Sequence, residues 1–182
     1  TTTPVGAAKR PTAGRSDLPC VGAVLTGGAS RRMGADKALL EVDGVTLVRR
    51  VADALTAAGA DRVVAVGGDI DGLHAQGLEV VPDLHPGEGP LGGILTALST
   101  GAEVVVVLAC DLIAADPTAI TAVVDALGES DVAAPWHDGR HELLHAAYHR
   151  RAQAHLQAAF ATGERAPRRA VRHRRGWQHQ RR

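Results

Sequence analysis

Residues 103–110 constrain the fold more than any other stretch of this 182-residue sequence. After Glu103 comes an unbroken apolar run, Val-Val-Val-Val-Leu-Ala-Cys, that is rich in β-branched side chains. Such a run is typical of a central parallel strand covered on both faces. Shorter apolar runs at 21–25, 63–66 and 78–81 alternate with helical patterns. The alternation predicts βαβ units in a Rossmann-like, doubly wound, three-layer α/β/α fold with a mostly parallel sheet.

Capping residues mark where the helices between these strands begin and end. Thr46 can cap a helix whose apolar residues Leu47, Val51 and Leu55 recur at four-residue spacing, and Gly59 ends it. Asp116 and Pro117 are a typical N-cap and first helical residue. The pattern predicts further helices over 94–99, 117–127 and 150–160.

The length suits a single domain, which we place at residues 21–166. Residues 1–20 lack periodicity and are predicted to be a disordered lead-in. All 20 acidic residues lie before position 165, and seven of the 20 basic residues lie after position 166. Residues 167–182 are therefore predicted to be a basic, disordered or aberrant tail, and no nucleic-acid partner is expected. No apolar run approaches the roughly 18–20 residues of a membrane span, so no membrane contact and a cytoplasmic location are expected.

A glycine-rich, basic segment follows the first predicted strand. Thr26, Gly27 and Gly28 allow backbone N–H groups to converge on an anion, and Arg32 and Lys37 supply counter-charge. The spacing matches neither standard phosphate-binding fingerprint. The residues favour a phosphate site, and a surface turn with solvated arginines is the alternative.

Two carboxylates follow other predicted strands and could complete such a site. Asp111 comes directly after the central run, where it could hold Mg²⁺ against nucleotide phosphates or simply cap a loop. Asp83 could reach a ribose or base, or could start a turn. The loop containing Gly89 and Pro90 could let a ligand lie close to the backbone.

The segment 141–145, His-Glu-Leu-Leu-His, matches the zinc-protease pattern but is predicted to be a strand. Asp138 and Gly139 precede it and indicate a hairpin turn between two apolar runs. In a strand, residues four apart are about 13 Å from each other, too far to share one metal ion. We therefore predict no zinc site there.

Residues 25–37 closely resemble the signature of the molybdenum cofactor guanylyltransferases, the MobA-like nucleotidyltransferases. That signature has the form L-A-G-G-x-x-x-R-M-G-x-D-K. Supporting matches follow in the same order at 81–83, 89–93, 109–111 and 163–165. The double glycine of the first motif points to the guanylyl branch rather than the cytidylyl branch.

The resemblance implies a Mg²⁺-dependent enzyme that transfers GMP from GTP to the phosphate of molybdopterin carrying molybdenum and releases pyrophosphate. It also implies contact with molybdoenzymes or cofactor-insertion proteins. It assigns Arg32, Lys37 and Asp111 to catalysis, and Asp111 to the metal. The implied nucleotide-binding residues are Leu25, Thr26, Gly27, Gly28, Lys37, Asp83, Gly89, Pro90 and Asp111.

The sequence departs from the family pattern at several positions. Thr26 replaces an alanine, Ile113 stands where a proline is usual, and Gly67 and Gly68 offer no asparagine for the nucleotide. The arginine-rich tail stands where the family has an Asn-containing segment, which suggests a frame change or truncation that sequencing across Ala166 would test. A cytidylyltransferase or other NTP transferase of the same fold, and a non-catalytic GTP-binding relative, are the alternatives.

Overall fold

The computed structural model describes residues 20–27 and 36–171. In these residues the strands are β1 (Cys20–Leu25), β2 (Glu41–Val42), β3 (Val45–Thr46), β4 (Arg62–Val66), β5 (Glu79–Val81), β6 (Val104–Ala109), β7 (Val132–Ala133), β8 (Trp136–His137), β9 (Arg140–His141) and β10 (His145–His149). The α-helices are α1 (Leu47–Ala57), α2 (Ile70–Ala75), α3 (Pro90–Leu98), α4 (Pro117–Asp125), α5 (Ala152–Ala161) and α6 (Pro167–Val171).

The main sheet has the strand order β5-β4-β1-β6-β10-β7. Strands β5, β4, β1 and β6 are parallel, whereas β10 runs antiparallel to both β6 and β7. The chain first builds outward from β1 to β4 and β5, and then returns to the other side of β1 with β6. The junction of β1 and β6 is therefore a topological switch point, where open α/β sheets bind their ligands.

Both faces of the sheet are covered, as the central run predicts. Val105 and Val107 of β6 pack in one core cluster with α3, α5 and α6. Val106 and Leu108 point to the opposite face and pack with α1, α2 and α4. Gly22 of β1 lets α1 lie close, because a Cβ atom there would be 3.0 Å from the side chain of Leu55. The predicted three-layer α/β/α fold is confirmed.

The predicted helix caps at Thr46 and Asp116 are confirmed. The side chain of Thr46 accepts a hydrogen bond from the Arg49 amide, and that of Asp116 accepts one from the Thr118 amide at 2.8 Å. The helix predicted over 94–99 is longer at its N-terminus, since α3 begins at Pro90. Proline is favourable at the first helical position, and tertiary packing there outweighs the low helix propensity of the two glycines that follow.

The basic tail that we predicted to be disordered begins instead with α6. Ala170 and Val171 are buried in the core, and the ring of His155 on α5 lies 2.8 Å from the Ala170 carbonyl oxygen. The tail has no apolar periodicity of its own, so this helix depends on packing against α5. Across the described ranges, no helix is long and apolar enough to cross a bilayer.

Candidate functional site

The carboxyl ends of β1, β4 and β5 border an open cleft of about 370 Å³. The lining residues are Thr26, Gly27, Asp36, Gly67, Gly68, Ile70, Pro82, Asp83, Pro86 and Gly87. Glycines make up four of these ten residues, so a ligand can approach the backbone closely. Three residues predicted to bind nucleotide, Thr26, Gly27 and Asp83, lie in this wall.

Backbone hydrogen bonds hold the loops of the cleft tightly together. The amides of Thr26 and Gly27 both donate to the Val66 carbonyl, at 3.1 and 3.0 Å. Gly67 has a φ of +71°, and a Cβ atom there would lie 3.2 Å from the Asp83 Cβ and 3.3 Å from the Gly27 Cα. Only glycine satisfies both the left-handed conformation and this close approach.

Thr26 supports the cleft wall with its side chain. It is buried, and its hydroxyl lies 2.8 Å from the Gly67 carbonyl and 3.0 Å from that of Val66. The single hydroxyl proton is used within the protein, where it links the loop after β1 to the loop after β4. The replacement of the family's alanine by Thr26 therefore adds a structural bond.

Asp83 is fixed in the cleft wall by one of its two carboxylate oxygens. Its Oδ1 accepts hydrogen bonds from the His85 amide at 2.9 Å and from the buried Thr96 hydroxyl at 3.0 Å. Its Oδ2 lies on the side of Gly27, 3.5 Å from the position that a Cβ atom of that glycine would take. The second oxygen is therefore directed toward the lining of the cleft.

Lys37 and Asp111 meet beside the cleft, at the switch point between β1 and β6. Lys37 Nζ donates to Asp111 Oδ2 at 2.8 Å, although the two residues are 74 positions apart. Their side chains are 42% and 52% exposed, so both can reach a ligand. Hydrogen bonding and charge from Asp111 raise the pKa of Lys37 above its usual 10.5, so the amine is cationic at neutral pH.

Cys110 separates Asp111 from the end of β6 and anchors it to β1. Its amide donates to the Leu25 carbonyl at 3.3 Å. Burial raises the pKa of the Cys110 thiol to about 11, so the sulfur is protonated and is a poor nucleophile near neutral pH. Its part in the site is to position Asp111.

Asp36 is a residue of the site that the sequence reasoning did not single out. Its Oδ1 accepts from the Ala38 amide at 2.9 Å and thereby caps the 3-10 turn Lys37–Leu39. Its Oδ2 accepts from the Asp69 amide at 2.7 Å. Asp36 thus fixes the start of the turn that carries Lys37. Its position directly before Lys37 in the family signature could have identified it as a site residue.

Besides Lys37 and Asp111, which lie beside the cleft, three more predicted nucleotide-binding residues lie outside the cleft wall. The Leu25 side chain packs against α3, in van der Waals contact with the position of a Gly93 Cβ atom. Gly89 and Pro90 form the start of α3, where the Leu91 amide donates to the Arg165 carbonyl at 3.4 Å. The same loop contributes Pro86 and Gly87 to the wall instead.

Arg165 ties the segment after α5 to the loop that borders the cleft. Its guanidinium pairs with Glu88 and lies over the Phe160 ring, 4.0 Å from the centroid. His85 contacts the same ring at a centroid distance of 4.5 Å. Residues 163–165, which match the family pattern, therefore lie next to the loop of residues 85–90.

Two predicted site residues, Gly28 and Arg32, lie outside the residues that the structure describes. Within 20–27 and 36–171, no group of three or more His, Cys, Asp or Glu side chains is arranged to hold a metal ion. Asp111 offers a half-exposed carboxylate, whereas both oxygens of Asp36 accept backbone hydrogen bonds. Mg²⁺ commonly takes one or two carboxylates together with substrate phosphates and water, and Asp111 fits that use.

The zinc-protease pattern is not on a helix. His141 ends the short strand β9 and His145 begins β10, with a turn between them. Burial lowers the pKa of His145, so its imidazole is neutral at physiological pH. The prediction of one strand through 141–145 is wrong, because a turn at residues 143–144 separates β9 from β10. The two histidines still do not share a helix face, which the zinc-protease pattern requires.

Comparison with known proteins agrees with the fold and the motif. The model of the MobA-like NTP transferase domain matches residues 22–180. The chain belongs to this family. A relative from Pelotomaculum thermopropionicum, named probable molybdenum cofactor guanylyltransferase, is 41% identical over 132 residues, which are 72% of this chain and 64% of that protein.

Other members of the family match over longer stretches. A protein of the same name from Opitutus terrae is 37% identical over 154 residues, covering 82% of this chain and 76% of its own length. The crystal structure of molybdopterin-guanine dinucleotide biosynthesis protein A from Archaeoglobus fulgidus is 28% identical, with a TM-score of 0.66, and covers 83% of this chain and 78% of that one. The family resemblance inferred from the motifs is confirmed.

Proposed function

We propose that this nucleotidyltransferase transfers GMP from GTP to the terminal phosphate of molybdenum-carrying molybdopterin and releases pyrophosphate. One observation carries the proposal: Lys37 and Asp111 form an ion pair at the switch point of the sheet, beside a cleft lined by glycines. The names of the family members at 37–41% identity support the guanylyl donor and the molybdopterin acceptor.

The cleft wall suits the nucleoside part of GTP. Asp83 has one oxygen fixed by Thr96 and the other directed toward the lining, so it can accept hydrogen bonds from a ribose or base without paying much conformational entropy. Gly27 and Gly67 have no side chains, so a ligand can lie against their Cα atoms, although their amides already donate to the Val66 and Val81 carbonyls. The nucleoside would then extend from Asp83 toward β1, with its phosphates near Lys37.

Transfer requires an acceptor phosphate oxygen to attack the α-phosphorus of GTP in line with the leaving pyrophosphate. One P–O bond forms at the α-phosphorus while its bond to the α,β-bridging oxygen breaks. Lys37 would hold phosphate oxygens and neutralise their charge, and the positive charge of Arg32 would add to this. Asp111 would hold Mg²⁺, which when bound supplies further positive charge to the phosphates. No covalent enzyme intermediate is needed.

Pyrophosphate release with each of the four common NTPs, with and without molybdenum-carrying molybdopterin, tests this proposal. We expect release with GTP only when the acceptor and Mg²⁺ are both present. Preference for CTP would identify a cytidylyltransferase of the same fold. Measurable GTP binding without release would favour a non-catalytic relative. The expected cytoplasmic location and contact with molybdoenzymes or insertion proteins belong to the same proposal.

A further inference from the structure

The short hairpin β8–β9 lies at the same edge of the sheet as the Lys37–Asp111 pair. Strands β6 and β7 both run antiparallel to β10, so they end at the same edge, and Trp136 follows the end of β7 after two residues. The cleft borders β1, β4 and β5 on the other side of the pair. The edge therefore carries, in order, a nucleoside-sized cleft, the charged pair and the hairpin.

The hairpin exposes an aromatic ring in a chain that has few of them. Trp136 is 43% exposed, whereas Tyr148 is fully buried and Phe160 is covered by His85 and Arg165. Among the described Trp, Tyr and Phe residues, Trp136 is thus the exposed one. The indole face is thus accessible to a ligand, and rings of this kind, with an apolar body and a polar N–H, are enriched at binding surfaces.

The structure holds this ring in a fixed place. Trp136 pairs with His141 across the hairpin, and the two rings meet edge to face, with centroids 4.6 Å apart and an interplanar angle of 74°. Asp138 and Gly139, with φ of +47° and +76°, form the tight turn. A preorganised ring loses little entropy when a flat ligand stacks on it.

The spacing suits one molecule that reaches from the hairpin to the charged pair. Strands β6 and β7 are separated by β10, so the strand that leads to Asp111 and the strand that leads to the hairpin are two strand spacings, about 10 Å, apart. Under the proposed function the acceptor carries a flat pterin at one end and the attacking phosphate at the other. Such a molecule can stack its rings at the hairpin while its phosphate reaches the pair.

We propose that Trp136, supported by His141, is the stacking surface for the pterin rings of the acceptor. This inference rests on the proposed function, because that function supplies the pterin. The guanine base of GTP is assigned to the cleft on the far side of the charged pair. The two heterocycles therefore occupy separate places along one edge of the sheet.

Binding of a fluorescent pterin tests the inference without any need for turnover. The probe is neopterin monophosphate, followed by the anisotropy of its own emission as protein is added. We expect Trp136→Ala to weaken its binding by about 5- to 150-fold, the range found when a stacked base loses its aromatic partner. Trp136→Phe keeps a ring and should retain most of the affinity. Val45→Ala, which truncates an exposed apolar residue on the separate β2–β3 hairpin, is the matched control and should leave binding unchanged.

The outcomes distinguish this inference from the proposed function. If Trp136→Ala binds the probe as tightly as the unmodified protein, or if GTP displaces the probe competitively, the stacking surface is wrong. In the transfer assay, Trp136→Ala should raise the KM for molybdopterin and leave the KM for GTP unchanged. If the unmodified protein releases no pyrophosphate with any NTP, the proposed function fails, while the pterin-binding result still decides the role of Trp136.

Discussion

The substitution Asp111→Asn separates the functional role of the Lys37–Asp111 pair from its contribution to stability. Asparagine keeps the size of the side chain and removes its charge. If the pair exists to stabilise the fold, the free energy of unfolding should fall substantially. If it exists to bind metal and phosphate, turnover should be lost while the fold stays nearly as stable.

The exposure of the pair sets the expected magnitudes. The two side chains are 42% and 52% exposed, and ion pairs this accessible to solvent contribute about 0.2–1 kcal/mol. We therefore expect Asp111→Asn to lower the free energy of unfolding by less than about 1 kcal/mol. Loss of a group that stabilises charge in the transition state typically costs about 10²- to 10³-fold in kcat, and loss of the proposed metal ligand should cost at least that much.

The ion pair between Arg62 and Glu79 provides a matched control. Its side chains are 44% and 50% exposed, but it lies where β4 and β5 begin, at the edge opposite the site. Glu79→Gln should cost a similar free energy of unfolding and leave kcat unchanged. Urea unfolding gives the stabilities, pyrophosphate release gives kcat, and Mn²⁺ titration followed by electron paramagnetic resonance in the presence of GTP gives metal binding.

Two results would refute this reasoning. A loss of more than about 3 kcal/mol in Asp111→Asn, without a similar loss in Glu79→Gln, would mean that the pair is a structural element. Unchanged Mn²⁺ binding and unchanged kcat in Asp111→Asn would remove this residue from the metal site. Either result would leave the fold assignment intact.

Three further predictions concern the glycine turns, the segment after α5 and the cleft wall. Gly67→Ala should lower both the affinity for GTP and the free energy of unfolding. Gly77 has the same φ of +71° but open space around it, so Gly77→Ala should lower only the free energy of unfolding, by about 1–2 kcal/mol. Equal GTP affinities in the two variants would contradict this. Hydrogen bonds from Arg169 and neighbouring backbone amides lower the pKa of Glu164 from 4.5 to about 2, so its stabilising effect is present above pH 4.5 and lost as pH falls toward 2. The stability difference between wild type and Glu164→Gln, measured by urea unfolding, should therefore shrink over that range, and a constant difference would argue against the assignment. Thr26→Ala should lower the free energy of unfolding by about 1 kcal/mol, because it removes the hydroxyl hydrogen bond. Thr26→Ser keeps the hydroxyl and should retain the stability of the wild type. If the serine variant is as unstable as the alanine variant, the methyl group is responsible instead.

Patterns within short stretches of the sequence predicted the elements that depend on local chemistry. The β-branched run before Cys110 predicted a central strand, and the caps at Thr46 and Asp116 predicted where two helices begin. Asp138 and Gly139 predicted the tight hairpin turn, whose left-handed backbone these residue types tolerate best. In each case the residues that decide the conformation are close neighbours in the chain.

Predictions failed where distant packing outweighs local preference. The predicted helix begins at residue 94, but Gly92 and Gly93 already lie in α3, where Gly92 leaves room for the His85 side chain and Gly93 lies against Leu25. The arginine-rich tail suggested disorder, yet α5 provides an apolar surface on which Ala170 packs. Helix propensities of this size, below about 1 kcal/mol per residue, are readily overcome by burial of apolar surface.

The sequence by itself determined the fold class, the family and most residue types of the site. Only the tertiary structure decided which residues meet. In it, Lys37 contacts Asp111 although 74 positions separate them, and the Thr26 hydroxyl bonds to the backbone of the cleft wall. Gly89 and Pro90 lie outside that wall. The physical reason is that strand order and register are set by the packing of the whole sheet. A motif specifies what a side chain can do, and the sheet specifies which other side chains are within its reach.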